Sequence, residues 1–350
     1  MDSREAAAAG RGIEACYARA NIGVQMNPPD TSGLLARIER EAGVPGLAAI
    51  LAERLAPTDL QSLLLEVYRR RARATAPAEL LERYTQNRFV RPAASDPRTL
   101  IEFDRRAFEL LPAGYEPIEL SPVAPLGTHS VVATVDQNKV VATSRNTEVV
   151  SDSTNVQALE SAFRRRKNGA MEVKLAASHR LLRAQKFDSP GAVPHFRLLT
   201  LTAAGRDEGS LRFEMRVLRG QIGYFLRLLG ALTGAWAQVH FTDLTDGRAT
   251  PLVAEEIIAP LAPLHTGAWL GFDPDRKSGR GFYETLCFKI HLLPPAGGEP
   301  LEVGDGGFND WTAKLLGNRK ERLLCACLAG ERVMEVARTF GPRPDGQGQL

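Results

Sequence analysis

The amino-acid sequence predicts an α+β protein: a mostly antiparallel sheet flanked by helices, preceded by a small helical N-terminal region. Three observations lead there. Residues 32–84 repeat apolar side chains at helical spacing, as in Leu34, Leu35, Ile38 and Ala42. After residue 88 the pattern changes to short apolar runs bounded by Gly, Asn and Asp, which read as strands. Helices fall between these runs without strict strand–helix–strand alternation, which disfavours a parallel doubly wound sheet.

The chain has 350 residues, 44% of them apolar and 24% charged, values typical of a globular protein that can bury its own core. The elements divide into residues 1–30, without periodicity and expected to be flexible; 31–87, helical; 88–340, the α+β core; and 341–350, a Gly/Pro-rich flexible tail. In the helical region, Thr58 to Gln61 fits a capping box behind Pro57. That helix runs to Arg69, Arg70, Arg71 and Arg73, where cations suit the helix C-terminus. The run reads as a solvated helix end or as a patch for RNA or a partner. In the core, residues 97–111 form an amphipathic helix and 118–120 a short strand. Residues 131–135, 139–143 and 147–150 read as a three-stranded meander. A helix begins at Asp152 or Ser153. Residues 173–175 and 196–202 are strands, 211–232 a long helix, 239–244 a strand, 251–262 helical and 282–293 a strand. Residues 311–316 are a short helix, 323–328 a buried strand and 331–340 a helix.

Composition and motif content exclude several functions. Net charge is +3, from 44 basic and 41 acidic residues, too small an excess for a general nucleic-acid coat protein. Cys16, Cys287, Cys325 and Cys327 match no zinc spacing and no disulfide framework; Cys325 and Cys327 read as small core residues. The start, MDSREAAAAGRG, lacks the apolar core of a signal peptide, and a cytoplasmic protein is expected. The six histidines are scattered and read as structural. There is no P-loop, Rossmann glycine motif, HExxH or GxSxG. Arginines near strand ends are left as the strongest chemical signal.

Four segments carry that signal. Asp152 and Thr154 stand at a helix start, where a carboxylate and a hydroxyl can hold an ammonium group, or simply cap the helix. His179 to Gln185 is a basic strand, followed by a loop and the returning strand from His195 and Phe196. Arg280 to Glu284 leads into another strand. Gly306 to Asp310 precedes a buried strand that ends in Gly330, Glu331 and Arg332.

In this order and spacing the segments resemble a class II aminoacyl-tRNA synthetase core. The likeness is to histidyl-tRNA synthetase and its non-tRNA paralogue, the ATP phosphoribosyltransferase regulatory subunit. Ser151 to Thr154 resembles R-P-[ED]-x-T; His179 to Phe196 resembles motif 2; Arg280 to Glu284 resembles R-G-L-D-Y-Y; Gly306 to Asp310 and Leu328 to Arg332 resemble G-G-R-Y-D and the motif 3 ending. The resemblance implies that Asp152, Thr154 and Arg280 bind an amino acid. It implies that Arg183, Gln185, Phe196, Glu331 and Arg332 bind ATP with Mg2+, and that Arg183, Arg280 and Arg332 serve catalysis. Gln185 replaces a Glu, Val150 and Ser151 replace the Arg and Pro, and the two tyrosines of the histidine pocket are not kept. Residues 198–204 offer no Glu or Gln to grip an imidazole, so a smaller or less polar side chain is expected. Residues 1–85 lie outside the resemblance, the insertion domain is short or missing, and residue 340 leaves no room for an anticodon-binding domain, so tRNA charging is not expected. Three readings stay open. One is an ATP-dependent ligase that activates an amino acid or similar carboxylic acid for a non-tRNA acceptor. Another is a silent amino-acid-binding regulator of a partner protein. The third is a tRNA-modifying or tRNA-sensing protein. A homodimer paired through residues 97–135 is expected in each, with no membrane association.

Overall fold

The structure is a computed structural model and describes residues 31–133, 135–169, 171–185, 194–293 and 299–340. The expected flexible segments 1–30 and 341–350 lie outside them. Three helices open the described chain: α1 (Ser32–Ala42), α2 (Pro57–Arg73) and α3 (Pro77–Gln86), with short helical turns at 47–54 between the first two. None of them fully buries a residue. The capping box expected at Thr58 does not form. Ala56 is the cap position, no side chain caps it, and Pro57 opens the helix with a φ already suited to it. Of the basic run in α2, Arg69 and Arg70 are exposed and paired with Glu66.

The core is built on an eight-stranded sheet. Its strands are β1 (Glu116–Pro117), β4 (Val173–Leu182), β5 (His195–Arg206), β6 (Trp236–Asp243), β7 (Ala268–Phe272), β8 (Leu286–Leu293), β9 (Leu301–Asn309) and β10 (Glu321–Ala329); β2 (Val123–Pro125) and β3 (Thr147–Val149) form a separate pair. The spatial order is β1-β4-β5-β10-β9-β8-β6-β7. The interior pairings are antiparallel, while β1–β4 and β6–β7, at the two edges, are parallel. The sheet is thus mostly antiparallel, as expected, with one parallel pair added at each edge.

Helices cover both faces. The helices of the core are α4 (Pro97–Glu109), α5 (Ser153–Asn168), α6 (Arg212–Thr233), α7 (Trp311–Leu316) and α8 (Gly330–Phe340). On one face α6 packs Phe213, Ile222, Phe225 and Leu229 against Leu201, Phe241, Phe288 and Leu324, and α4 and α8 add Phe103 and Val333. Ala158 of α5 and Trp311 of α7 meet Leu175, Leu323 and Cys325 on the other face. Side chains alternate along a strand, so Thr200, Cys327 and Asp305 share this second face.

The expected meander is corrected. Its last strand forms as β3 and pairs with β2, while the middle segment meets β3 only through the antiparallel bridge Ala142–Glu148 and the first segment is not a strand. Residues Thr128–Val132 form a wide helical turn and Gln137–Lys139 a 3-10 turn. Glu148 explains the change. Its carboxylate is fully buried and accepts the Gly127 and His129 amides, each at 2.9 Å, and the Gln137 side chain at 2.8 Å. The chain wraps round a buried anion instead of running straight. The strand expected from 282 starts at Leu286, because Gly279 and Gly281 adopt positive φ and fold Phe282 and Tyr283 into a turn.

Candidate functional site

The site begins where the sequence switches from strand to helix. Asp152 has extended backbone and caps α5, its Oδ1 accepting the Thr154 amide at 2.9 Å and the Thr154 hydroxyl at 2.7 Å. Just beyond the end of β4, Arg183 reaches this cap. Its Nε donates to the Ser151 carbonyl at 3.0 Å and its Nη2 lies 3.4 Å from Asp152 Oδ2. Phe196, on the returning strand β5, lies under the guanidinium, 5.1 Å from ring centre to Cζ. Asp152, Thr154, Arg183 and Phe196 thus form one contact cluster. Arg183 Nη1 makes no hydrogen bond among the described residues, which leaves a donor for an incoming oxygen.

A buried network fixes the backbone beneath the cluster. His129 is fully buried; its Nε2 accepts the Ser151 amide at 2.9 Å and its Nδ1 faces Asn155 Oδ1 at 2.9 Å. The acceptor role of Nε2 puts the proton on Nδ1, so the ring is neutral with one tautomer. His129 therefore ties Glu148, through its own amide, to the residue whose carbonyl holds Arg183.

The other expected site residues stand elsewhere. The Gln185 main-chain carbonyl is held by Arg88 at 2.7 Å. Glu331 receives the Arg197 amide at 2.8 and 3.0 Å and lies 3.3 Å from Arg180, so its carboxylate serves the fold between α8 and β5. Arg332 donates from Nη1 to the Glu302 carbonyl of β9 at 2.8 Å. Arg280 is exposed and bonded to the carbonyls of Arg276 and Pro274.

The arginine that does enter the sheet face near β9 is Arg276. Its side chain is 3% exposed and donates to Asp305 Oδ2 at 2.7 Å, while the Tyr283 hydroxyl donates to Asp305 Oδ1 at 2.7 Å. Burial works against the Arg276 charge, but Asp305, Cys287, Tyr283 and Glu302 together outweigh it and push the guanidinium above its ordinary range. Burial also pushes the Asp305 carboxyl above its ordinary range, opposed by Arg276 and by the Tyr283 hydroxyl. Arg276 Nη1 is buried and has no partner among the described residues. Sequence reasoning passed over Arg276 because Arg276, Lys277 and Arg280 crowd one loop, and nothing local separates the buried cation from the exposed ones.

Strand register joins the two clusters. Thr200, Cys327, Asp305, Lys289 and His240 face one another in turn across β5, β10, β9, β8 and β6. Burial pushes the Cys325 and Cys327 thiols well up, so both are inert, as expected of small core residues. At the far end His240 packs against Trp269 and edge-on to His291. Burial pushes His291 down to about 4 and lowers His240, so both rings are neutral near pH 7.

The fold has known counterparts. A Bacillus halodurans C protein described as an ATP phosphoribosyltransferase regulatory subunit/histidyl-tRNA synthetase superposes with a TM-score of 0.53, at 14% identity over 71% of this chain and 81% of that one. Apo histidyl-tRNA synthetase from S. aureus gives 0.52, at 16% identity over 72% and 68%. A histidine–tRNA ligase subunit from Alicyclobacillus acidocaldarius gives 0.50, at 14% identity over 71% and 97%. No protein-family model and no curated protein sequence matches the chain. The chain has a class II aminoacyl-tRNA synthetase-like fold. Within that class it resembles histidyl-tRNA synthetase and the phosphoribosyltransferase regulatory subunit. No described helix is long and apolar enough to cross a membrane.

Proposed function

We propose that the chain binds ATP and an amino acid, or a similar carboxylic acid, and joins the carboxylate to the α-phosphate with release of pyrophosphate, giving an adenylate for transfer to a non-tRNA acceptor. The observation that carries this reading is the contact of Arg183 with Asp152 over the ring of Phe196. Asp152 and the Thr154 hydroxyl suit an ammonium group, Arg183 suits the carboxylate and the α-phosphate between which the bond forms, and Phe196 suits the base. Adenylate formation brings a carboxylate against a polyphosphate, and a fixed guanidinium offsets that repulsion where negative charge gathers. Among the described residues no cluster of three His, Cys, Asp or Glu side chains could hold a metal. Magnesium would therefore arrive on the nucleotide, as its preference for phosphate and water ligands favours. Residues 198–204 of β5 carry no Glu or Gln that could grip an imidazole, which supports a substrate other than histidine.

Titration calorimetry with ATP and magnesium tests this reading. Wild-type protein binds. Arg183→Ala binds roughly tenfold or more weakly, the effect of removing one charge-assisted hydrogen bond to phosphate. Equal affinities would contradict it.

One observation favours a second reading, a silent amino-acid-binding regulator. Glu331 is committed to Arg197 and Arg280 to two loop carbonyls, so one charge expected at the ATP and one expected at the amino acid serve the fold instead. Amino-acid binding without ATP binding would support it. In either case we infer pairing of two chains through residues 97–135.

A further inference from the structure

A polar cavity lies at the end of the sheet opposite the Arg183 cluster. The Arg183 cluster sits where β4 ends and β5 begins, beside the C-terminal end of β10. This cavity, of about 760 Å³, lies where β9 ends and β10 begins, under the N-terminus of α6. It is within the size range of small-molecule sites. Glu214, Glu284, Asp310, Lys314 and Arg322 line it.

The hydrogen bonds inside are unbalanced in one direction. Arg322 is fully used: Nε donates to Glu214 Oε1 at 2.9 Å, Nη2 to Asp207 at 2.8 Å, and Nη1 to the Arg319 and Glu321 carbonyls at 2.9 and 3.0 Å. Lys314 is paired with Asp310 at 2.8 Å. Arg248 and Arg319 are exposed at the rim, where solvent screens them. What remains is an acceptor. Glu214 is 1% exposed, yet its Oε2 has no partner among the described residues. A buried carboxylate oxygen left unmatched is costly and calls for a donor. Glu214 also stands in the first turn of α6, where the helix dipole favours its negative charge. Glu284 faces Asp310 nearby; burial and then the Asp310 charge raise its carboxyl above the ordinary range, a strain that an added cation relieves.

We propose that this cavity binds a small molecule through a cationic head, an ammonium or guanidinium that donates to Glu214 and lies against the hydrogen-bonded pair Glu284 and Asp310. Its ligand is separate from the nucleotide and amino acid proposed above, because the site stands at the other end of the strands.

Calorimetric titration of the full chain with agmatine and with butylammonium, and with propionate as the anionic control, tests this. Saturable binding of a cationic probe, weakened roughly tenfold or more in Glu214→Gln and also weakened in Glu284→Gln, is expected. Arg183→Ala leaves it unchanged, which separates this site from the nucleotide site. If Glu214→Gln does not fold, Glu284→Gln decides: weaker binding supports the proposal and unchanged binding overturns it. Absence of saturable binding by either cation, or preference for propionate, also overturns it.

Discussion

Single side chains in this protein are held by their neighbours more tightly than a strand-end motif suggests. Arg183 is fixed on three sides, by Ser151, Asp152 and Phe196, so its guanidinium enters the site in one orientation. A lysine there would keep the charge and lose the fork, so Arg183→Lys is expected to bind ATP nearly as poorly as Arg183→Ala, as calorimetry can show. His291 yields a prediction of a different kind. Burial pushes it from about 6.5 down to about 4. Between those values the unfolded chain takes up a proton that the folded ring resists, so folding stability falls as the pH drops through that window. His291→Gln removes the term. Urea unfolding of the two proteins should show a shallower loss from pH 6.5 to 4 in the variant; parallel curves would mean that His291 is protonated in the fold. At this scale the sequence was only partly legible. Asp152, Thr154, Arg183 and Phe196 could be picked out only through the motif resemblance, and it is the fold that brings them into contact. Arg276 and His129 could not, since burial and a locked tautomer leave no local signature.

Elements follow the sequence where one face is apolar over many residues. The long helix α6 and the short helix α7 appear within a residue of their expected bounds, because Phe213 to Leu232 and Trp311 to Leu316 keep helical spacing. Strand β9 was harder to read. Its Val-Gly-Asp-Gly-Gly core has no alternation, and the glycines are required by packing rather than by turns. A Cβ at Gly306 would stand 2.5 Å from Phe288 Cζ, 2.7 Å from Ala326 Cβ and 2.8 Å from the Cys325 carbonyl. Gly306→Ala is therefore expected to destabilise the fold by about 1–3 kcal/mol or more, since two of the three contacts cannot swing away. Gly220, inside α6, meets nothing within 4 Å. Gly220→Ala should stabilise by about 0.5–1 kcal/mol through helix propensity alone. Chemical denaturation of both variants checks the contrast; the same sign for both would contradict this packing. The lost meander belongs to the same scale, because Glu148 turns the chain by accepting amides, which hydrophobic periodicity cannot register.

At the scale of the whole molecule, the helices at 31–87 stand beside the core and meet it through a few polar contacts, such as Asn146 with the Pro57 carbonyl at 3.2 Å and with Gln61. Pairing of two chains through 97–135 predicts a dimer mass in light scattering, and a monomer at working concentration would contradict it. The sheet face is where the proposed activity resides. That activity is tested most directly by amino-acid-dependent exchange of pyrophosphate into ATP, screened across the common amino acids. Exchange with at least one of them other than histidine, abolished in Arg183→Ala, is expected. No exchange with any, in protein that also fails to bind ATP, would contradict it.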